Sequence, residues 1–254
     1  MNNQKEKFKE MSLIEHLSEL RKRLLWIIIS ILLFFIICFY FADNLFSFLA
    51  SPLVKLLDKE SGQGFIYTAL HEAFFTELKI ALFFSIFLSF PLIAIQLWRF
   101  IAPGLYTKEK KAFLPFLIAT PILFFAGGSM VYYIIAPIAW QFFLSYQNID
   151  SSGVPIRLEA KMSEYLGLMM RFIFAFGLAF QLPVALTLLV KAKIINHENL
   201  IKFRKYAIVI AFLSAAFLTP PDPFSQISLA LPIILLYEIS IFLAKMISRK
   251  NDKK

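Results

Sequence analysis

Most of the apolar content of this chain sits in six runs, and its Lys and Arg residues cluster in every second gap between them. The N-terminal arm to Arg23 holds six, Arg99 to Phe113 four, Lys191 to Tyr206 five, and Lys245 to the end five. Asp43 to Glu72 and Pro137 to Glu164 hold two each, and Thr219 to Gln226 none. Lys79 and Arg171, inside apolar stretches, complete the 26. By the positive-inside rule, both termini and the two even-numbered connections face the cytoplasm. The expected location is therefore the bacterial cytoplasmic (inner) membrane, multi-pass, with the working surface on the basic side.

A content of 59% apolar, 17% aromatic and 17% charged residues departs from the quarter charged that is usual in a soluble domain. No gap between apolar runs exceeds about 30 residues, too few for a soluble domain with its own core. One membrane domain over residues 1–254 is expected: a cytoplasmic amphipathic arm at 1–23, a six-span bundle at 24–244 and a cytoplasmic tail at 245–254. The net charge of +9 comes from the cytoplasmic loops and reads as attraction to anionic lipid, with no nucleic-acid partner. Cys38 is the only cysteine, so no intrachain disulfide forms. The first run is too long for a signal-peptide core and should remain as a span.

The fold class is all-α. The runs read as Leu24–Ala42, Ile80–Trp98 with Pro91, Phe113–Ala136 with Pro115 and Pro121, and Leu166–Val190 with Pro183. Their 19 to 25 residues suffice to cross about 30 Å of hydrocarbon. The fifth, Ala207–Leu218, is only 12 residues, about 18 Å of helix, before Pro220, Pro221 and Pro223 stop it. The sixth, Ile227–Ala244, is expected to be interrupted by Pro232 and Glu238. Such a short hairpin must thin the bilayer or admit water. Gly127-Gly128-Ser129 reads as a close helix contact.

Ser12-Leu13-Ile14-Glu15 is a capping box, and Leu13, Leu17, Leu20 and Leu24 form an apolar stripe behind it. The arm is thus an amphipathic helix on the membrane surface that runs into the first span. Leu45–Leu57 reads as an interfacial helix broken at Pro52. His16, His71 and His197 fall in three separate extramembrane segments, so no metal site is expected. No HExxH, GxSxG or phosphate-binding loop is present. No catalytic residue, metal or cofactor is therefore expected, and energy must come from the membrane potential, the proton gradient or a partner.

Acids in unusual places remain. Glu19 lies one turn from Arg23, and Glu109 lies between Lys108 and Lys110; taken alone, both read as solvated ion pairs worth 0.2–1 kcal/mol. Gln181 and Glu238 lie within apolar spans and must find partners or water, either as helix contacts or as docking points.

Four motifs in order carry a resemblance. They are Glu15-His16-Leu17-Ser18-Glu19-Leu20-Arg21-Lys22-Arg23-Leu24; Trp98-Arg99-Phe100-Ile101-Ala102-Pro103-Gly104-Leu105-Tyr106 followed by Glu109; Phe176 to Val184; and Leu218 to Gln226. Together they resemble TatC, the polytopic subunit of the twin-arginine translocase. The resemblance implies a concave, glove-shaped bundle of six transmembrane helices with the last two shortened. It implies a non-enzymatic core receptor that binds twin-arginine signal peptides of folded precursor proteins at the cytoplasmic face. Export would use the proton-motive force, TatA/TatB-type single-span partners, and several copies of the chain in a larger complex within the lipid bilayer.

The resemblance assigns signal-peptide binding to Glu19 and Glu109, with Arg21, Phe100 and Pro103 beside them. It makes Gln181 and Glu238 the partner-docking or intramembrane polar positions, and Pro52, Pro220, Pro221 and Asp222 a structural periplasmic cap. Two departures accompany it: the family often carries Glu where Gln181 stands, and Arg171 is an unusual cation expected to snorkel outward. A small-solute secondary transporter or channel is the rival class, but that would need polar groups clustered at mid-membrane. A passive scaffold would tolerate any exchange of Glu19 and Glu109.

Overall fold

The computed structural model describes residues 13–57, 64–101, 110–148, 158–218 and 223–251. Helix α1, Leu13–Tyr40, is one rod of 28 residues, about 42 Å long, so the arm and the first span are continuous. Leu17, Leu24 and Ile36 on it are exposed, and it packs chiefly along α3, Glu72–Ile101. The ends of the bundle are named here by charge: the basic end carries the start of α1, and the far end carries Tyr40.

Helix α2, Ala42–Val54, lies at the far end and contains Pro52 without breaking. The expected break is absent because the carbonyl that Pro52 cannot bond is satisfied from outside. A proline lacks the N–H that would reach the residue four earlier, here Phe48. The Tyr132 hydroxyl donates to Phe48 O at 2.8 Å, with the two rings stacked at 4.4 Å. Beside it, the Tyr165 hydroxyl donates to Leu49 O at 2.9 Å.

The third span is longer than the expected Phe113–Ala136. It comprises α4, Lys110–Met130, a π-helical turn, Val131–Ile135, α5, Ala136–Leu144, and a 3-10 turn, Ser145–Asn148. The fourth is two helices, α6, Met162–Ala179, and α7, Leu182–Lys191, parted at Phe180 and Gln181 just before Pro183. Pro183 fits the first turn of α7, where its missing N–H costs nothing. At the far end the short strands β1, Phe65–Ile66, and β2, Ala160–Lys161, pair in parallel.

Helix α8, His197–Leu218, begins well before its apolar part, and α9, Pro223–Asn251, runs unbroken through Pro232 and Glu238. The expected interruption of the sixth span is therefore corrected to a continuous helix. Among the described residues five helical stretches are long and apolar enough to cross a membrane. Helix α8 is not one of them, because only Ala207–Leu218 follows its charged first half.

The core lies where α2, α3, α4 and α6 meet, with Leu49, Ile80, Val131, Leu166 and Met169 fully buried. Gly127 lets α4 and α6 touch: a Cβ there would stand 2.6 Å from Phe176 O. Gly128 faces the Phe87 ring and Ile173 in the same way. Both confirm the close contact expected of this glycine pair.

Candidate functional site

The basic end gathers residues from α1 and α3. One turn of helix separates Glu19 from Arg23, and both point into the crevice beside α3. Arg23 Nε donates to Glu19 Oε1 at 3.0 Å, a terminal nitrogen of Arg23 bonds the same oxygen, and the other reaches Gln96 Oε1 of α3 at 3.3 Å. Glu19 and Arg23 are both about one-fifth exposed, which shields the pair from salt more than a surface pair. Glu19 Oε2 is shut from solvent and has no hydrogen-bond partner among the described residues. His16 stacks on Phe100 at 4.4 Å, which docks the start of α1 onto the end of α3. Arg21 is exposed on the opposite side of the helix. Glu109 and Pro103 lie outside the described residues.

A second polar seam runs through the interior from α3 to the break between α6 and α7. Trp98 Nε1 donates to Thr120 Oγ1 at 3.2 Å, and Gln181 Nε2 donates to Thr120 O at 3.0 Å. Gln181 also reaches Gly177 O at 3.4 Å, while its Oε1 is buried without a donor among the described residues. The helix break places this side chain: Gln181 stands at the N-cap position of α7, and its amide turns to Thr120 O of α4.

Glu238 is not part of that seam. It pairs with Arg204 of α8 at 2.7 Å, and Tyr237 next to it donates to Leu200 O at 2.8 Å. These contacts pin α8 to α9 near the basic end.

At the far end Pro52 is buried in α2, whereas Pro220, Pro221 and Asp222 lie outside the described residues. The tie there is Glu72. Its Oε2 accepts from Thr68 N at 2.8 Å and Thr68 Oγ1 at 3.2 Å, and its Oε1 from Ser163 N at 3.3 Å. A carboxylate is thus held at the N-terminus of α6, where free N–H groups and the helix dipole favour it. Among the described residues no group of His, Cys, Asp and Glu could hold a metal.

Sequence reasoning named Glu19, Phe100 and Gln181 as candidate site residues but missed the contacts with Gln96, Thr120 and His16, and missed Glu72. The i, i+4 spacing of Glu19 and Arg23 was a readable signal. The long-range partners, such as Thr120 for Gln181, leave no trace in local spacing.

This geometry has close counterparts. Residues 15–232 match the family described as Sec-independent protein translocase protein (TatC). The chain is 49% identical over 242 residues to the protein of that name from Magnetococcus marinus, covering 95% of this chain and 87% of the relative. It is 39% identical to the one from Escherichia coli strain K12, covering 95% and 91%. A solved structure titled "Crystal Structure of Twin Arginine Translocase Receptor- TatC" superposes with a TM-score of 0.79 at 39% identity, covering 92% of this chain and all of that one. By family, sequence and fold, this chain belongs to TatC, the multi-pass membrane component of the Sec-independent, twin-arginine protein translocase.

Proposed function

We propose that the chain is the signal-recognition subunit of this translocase, with both termini in the cytoplasm and the basic end as its receiving face. The observation that carries this reading is Glu19: a shielded carboxylate at the basic end with one oxygen lacking a donor among the described residues. With Glu109 it would offer two anions to the two guanidinium groups of a twin-arginine signal, each able to make paired, charge-assisted bonds. A micromolar complex needs about 8 kcal/mol, and two partly exposed ion pairs supply only a few of these. The apolar stretch of the signal supplies the rest against the bundle and lipid. Arginines then set identity, and apolar burial sets affinity.

The polar seam at Gln181 is read as a docking point for a TatA/TatB-type single span, since its Oε1 has no donor among the described residues. Several copies of the chain, such partners and the proton-motive force would then move folded cargo outward.

Photo-crosslinking from residues beside Glu109 to a twin-arginine signal peptide in native membranes tests the reading. A strong adduct that weakens when both arginines become lysines supports it. Equal adducts with both peptides overturn it.

A further inference from the structure

The far half of the bundle holds a cation with no counter-ion among the described residues. Arg171 of α6 is exposed, and its Nε donates to Gly167 O, one turn nearer the far end, at 3.1 Å. A Cβ on Gly167 would stand 3.7 Å from an Arg171 terminal nitrogen, so the guanidinium lies back over this bare turn, toward the far surface. Among the described residues no carboxylate comes within ion-pair distance of it; Glu164 pairs with Lys161 at 3.6 Å.

Arg171 opens on a cavity of about 560 Å³ between α6, α5 and the end of α8. Phe143, Leu168, Phe217 and Leu218 supply an apolar wall, and Glu159, Lys161 and Glu164 line it nearer the far rim. Two depths coincide here. Arg171 lies nine residues past Met162, about 14 Å along α6. The apolar part of α8 spans about 18 Å of a hydrocarbon layer about 30 Å thick, so it stops about 12 Å short of the surface that α6 reaches. Phe217 and Arg171 facing one cavity is that coincidence seen directly.

A guanidinium at this depth requires an anion or water, and the short hairpin leaves lipid as its neighbour. We propose that the cavity is a phospholipid site, in which Arg171 holds the phosphate of one far-leaflet lipid and an acyl chain lies against Phe143, Leu168 and Phe217. Guanidinium and phosphate match as paired donors and acceptors. With Glu164 paired to Lys161, the remaining order of charges, cation deep and the Glu159 carboxylate nearer the rim, suits a zwitterionic headgroup with its amine outward. The assignment of the far leaflet to the outer one rests on the orientation proposed above; the site itself does not.

The test is native mass spectrometry of the purified full chain, titrated with dipalmitoyl phosphatidylethanolamine and with dipalmitoyl glycerol as the phosphate-free control. The parent protein should retain one phospholipid and discriminate against the glycerol lipid. Arg171→Met should weaken retention about fivefold, and Arg171→Lys less, since one cation near lipid phosphate contributes about that factor. Leu168→Trp, which fills the cavity without touching the charge, should weaken it as well. Retention by Arg171→Met within twofold of the parent, equal uptake of both lipids, or displacement of the phospholipid by millimolar inorganic phosphate would each overturn the proposal. Because Arg171, among the described residues, bonds its own helix, circular dichroism should be unchanged in Arg171→Met. Cysteine labelling in cells reports the orientation separately.

Discussion

Arg23 lays two of its nitrogens on a single carboxylate oxygen of Glu19 and leaves the other oxygen without a donor among the described residues. The chain thus carries its own guanidinium at the place where an incoming one is proposed to bind. A signal arginine can share the carboxylate through Oε2 or displace Arg23, and in both cases Arg23 is a competitor that also keeps Glu19 oriented.

Glu19→Gln and Glu109→Gln should each weaken twin-arginine peptide binding by about 1 to 3 kcal/mol, because an arginine loses its anion while remaining near water. Arg23→Gln should do the opposite, strengthening binding by at most about 1 kcal/mol, the worth of a partly exposed pair. Fluorescence titration of a labelled signal peptide into proteoliposomes measures all three. Affinities within twofold of the parent for Glu19→Gln, Glu109→Gln and their combination would remove both carboxylates from recognition.

Gln181 can donate and accept but carries no charge to titrate. Gln181→Leu should reduce recovery of the single-span partner and export while sparing signal binding, a loss of about 0.5 to 2 kcal/mol. Gln181→Glu should keep both. Co-purification of the partner with each variant decides; unchanged recovery and export for Gln181→Leu would reduce the residue to its contact with Thr120.

The proposed orientation rests on the charge pattern. Cysteines introduced near residue 5 and near residue 252 should resist an impermeant maleimide added to intact cells and react after lysis. Labelling of either in sealed cells would reverse the topology.

Gly127→Ala places a methyl group where only 2.6 Å separates the Cβ position from Phe176 O, a backbone atom that cannot swing aside. Overpacking of this kind costs typically 1–3 kcal/mol. Detergent-solubilised protein should show a lower Tm, whereas Gly64→Ala, with nothing within 4 Å, should leave it unchanged.

Glu72→Ala should free Thr68 and Ser163 together, because one side chain accepts from both. Hydrogen exchange should accelerate at these two amides and through β1 and β2, with α4 unaffected. Slow exchange at Ser163 in this variant would mean that the strands alone hold the far end.

Helix existence and the five long spans were legible, since hydrophobic length and loop charge act locally along the chain. The continuity of α1 was legible too, from a leucine stripe that runs on into the first span without a breaker. What failed was punctuation. Pro52 and Pro232 read as breaks, yet both helices run through them; at Pro52 the carbonyl left free, that of Phe48, is paired by Tyr132, 84 residues away. Glu238 read as an intramembrane polar group, but Arg204, 34 residues earlier, neutralises it. Of the proposed recognition site, Glu19 and Phe100 could be named from motifs and the Glu19–Arg23 pair from its spacing; that Gln96 holds Arg23 from the far side depends on how α1 lies along α3, which no spacing encodes.

The π-helical turn at Val131–Ile135 marks the spot where the third span holds a surplus residue. Removing one residue there would restore regular winding with the faces on either side nearly in register, because the widened turn already absorbs the surplus, so Ala136, Ala139 and Trp140 would keep the core they now fill. The span can therefore gain or lose one residue at this turn while the helix on either side keeps its packing.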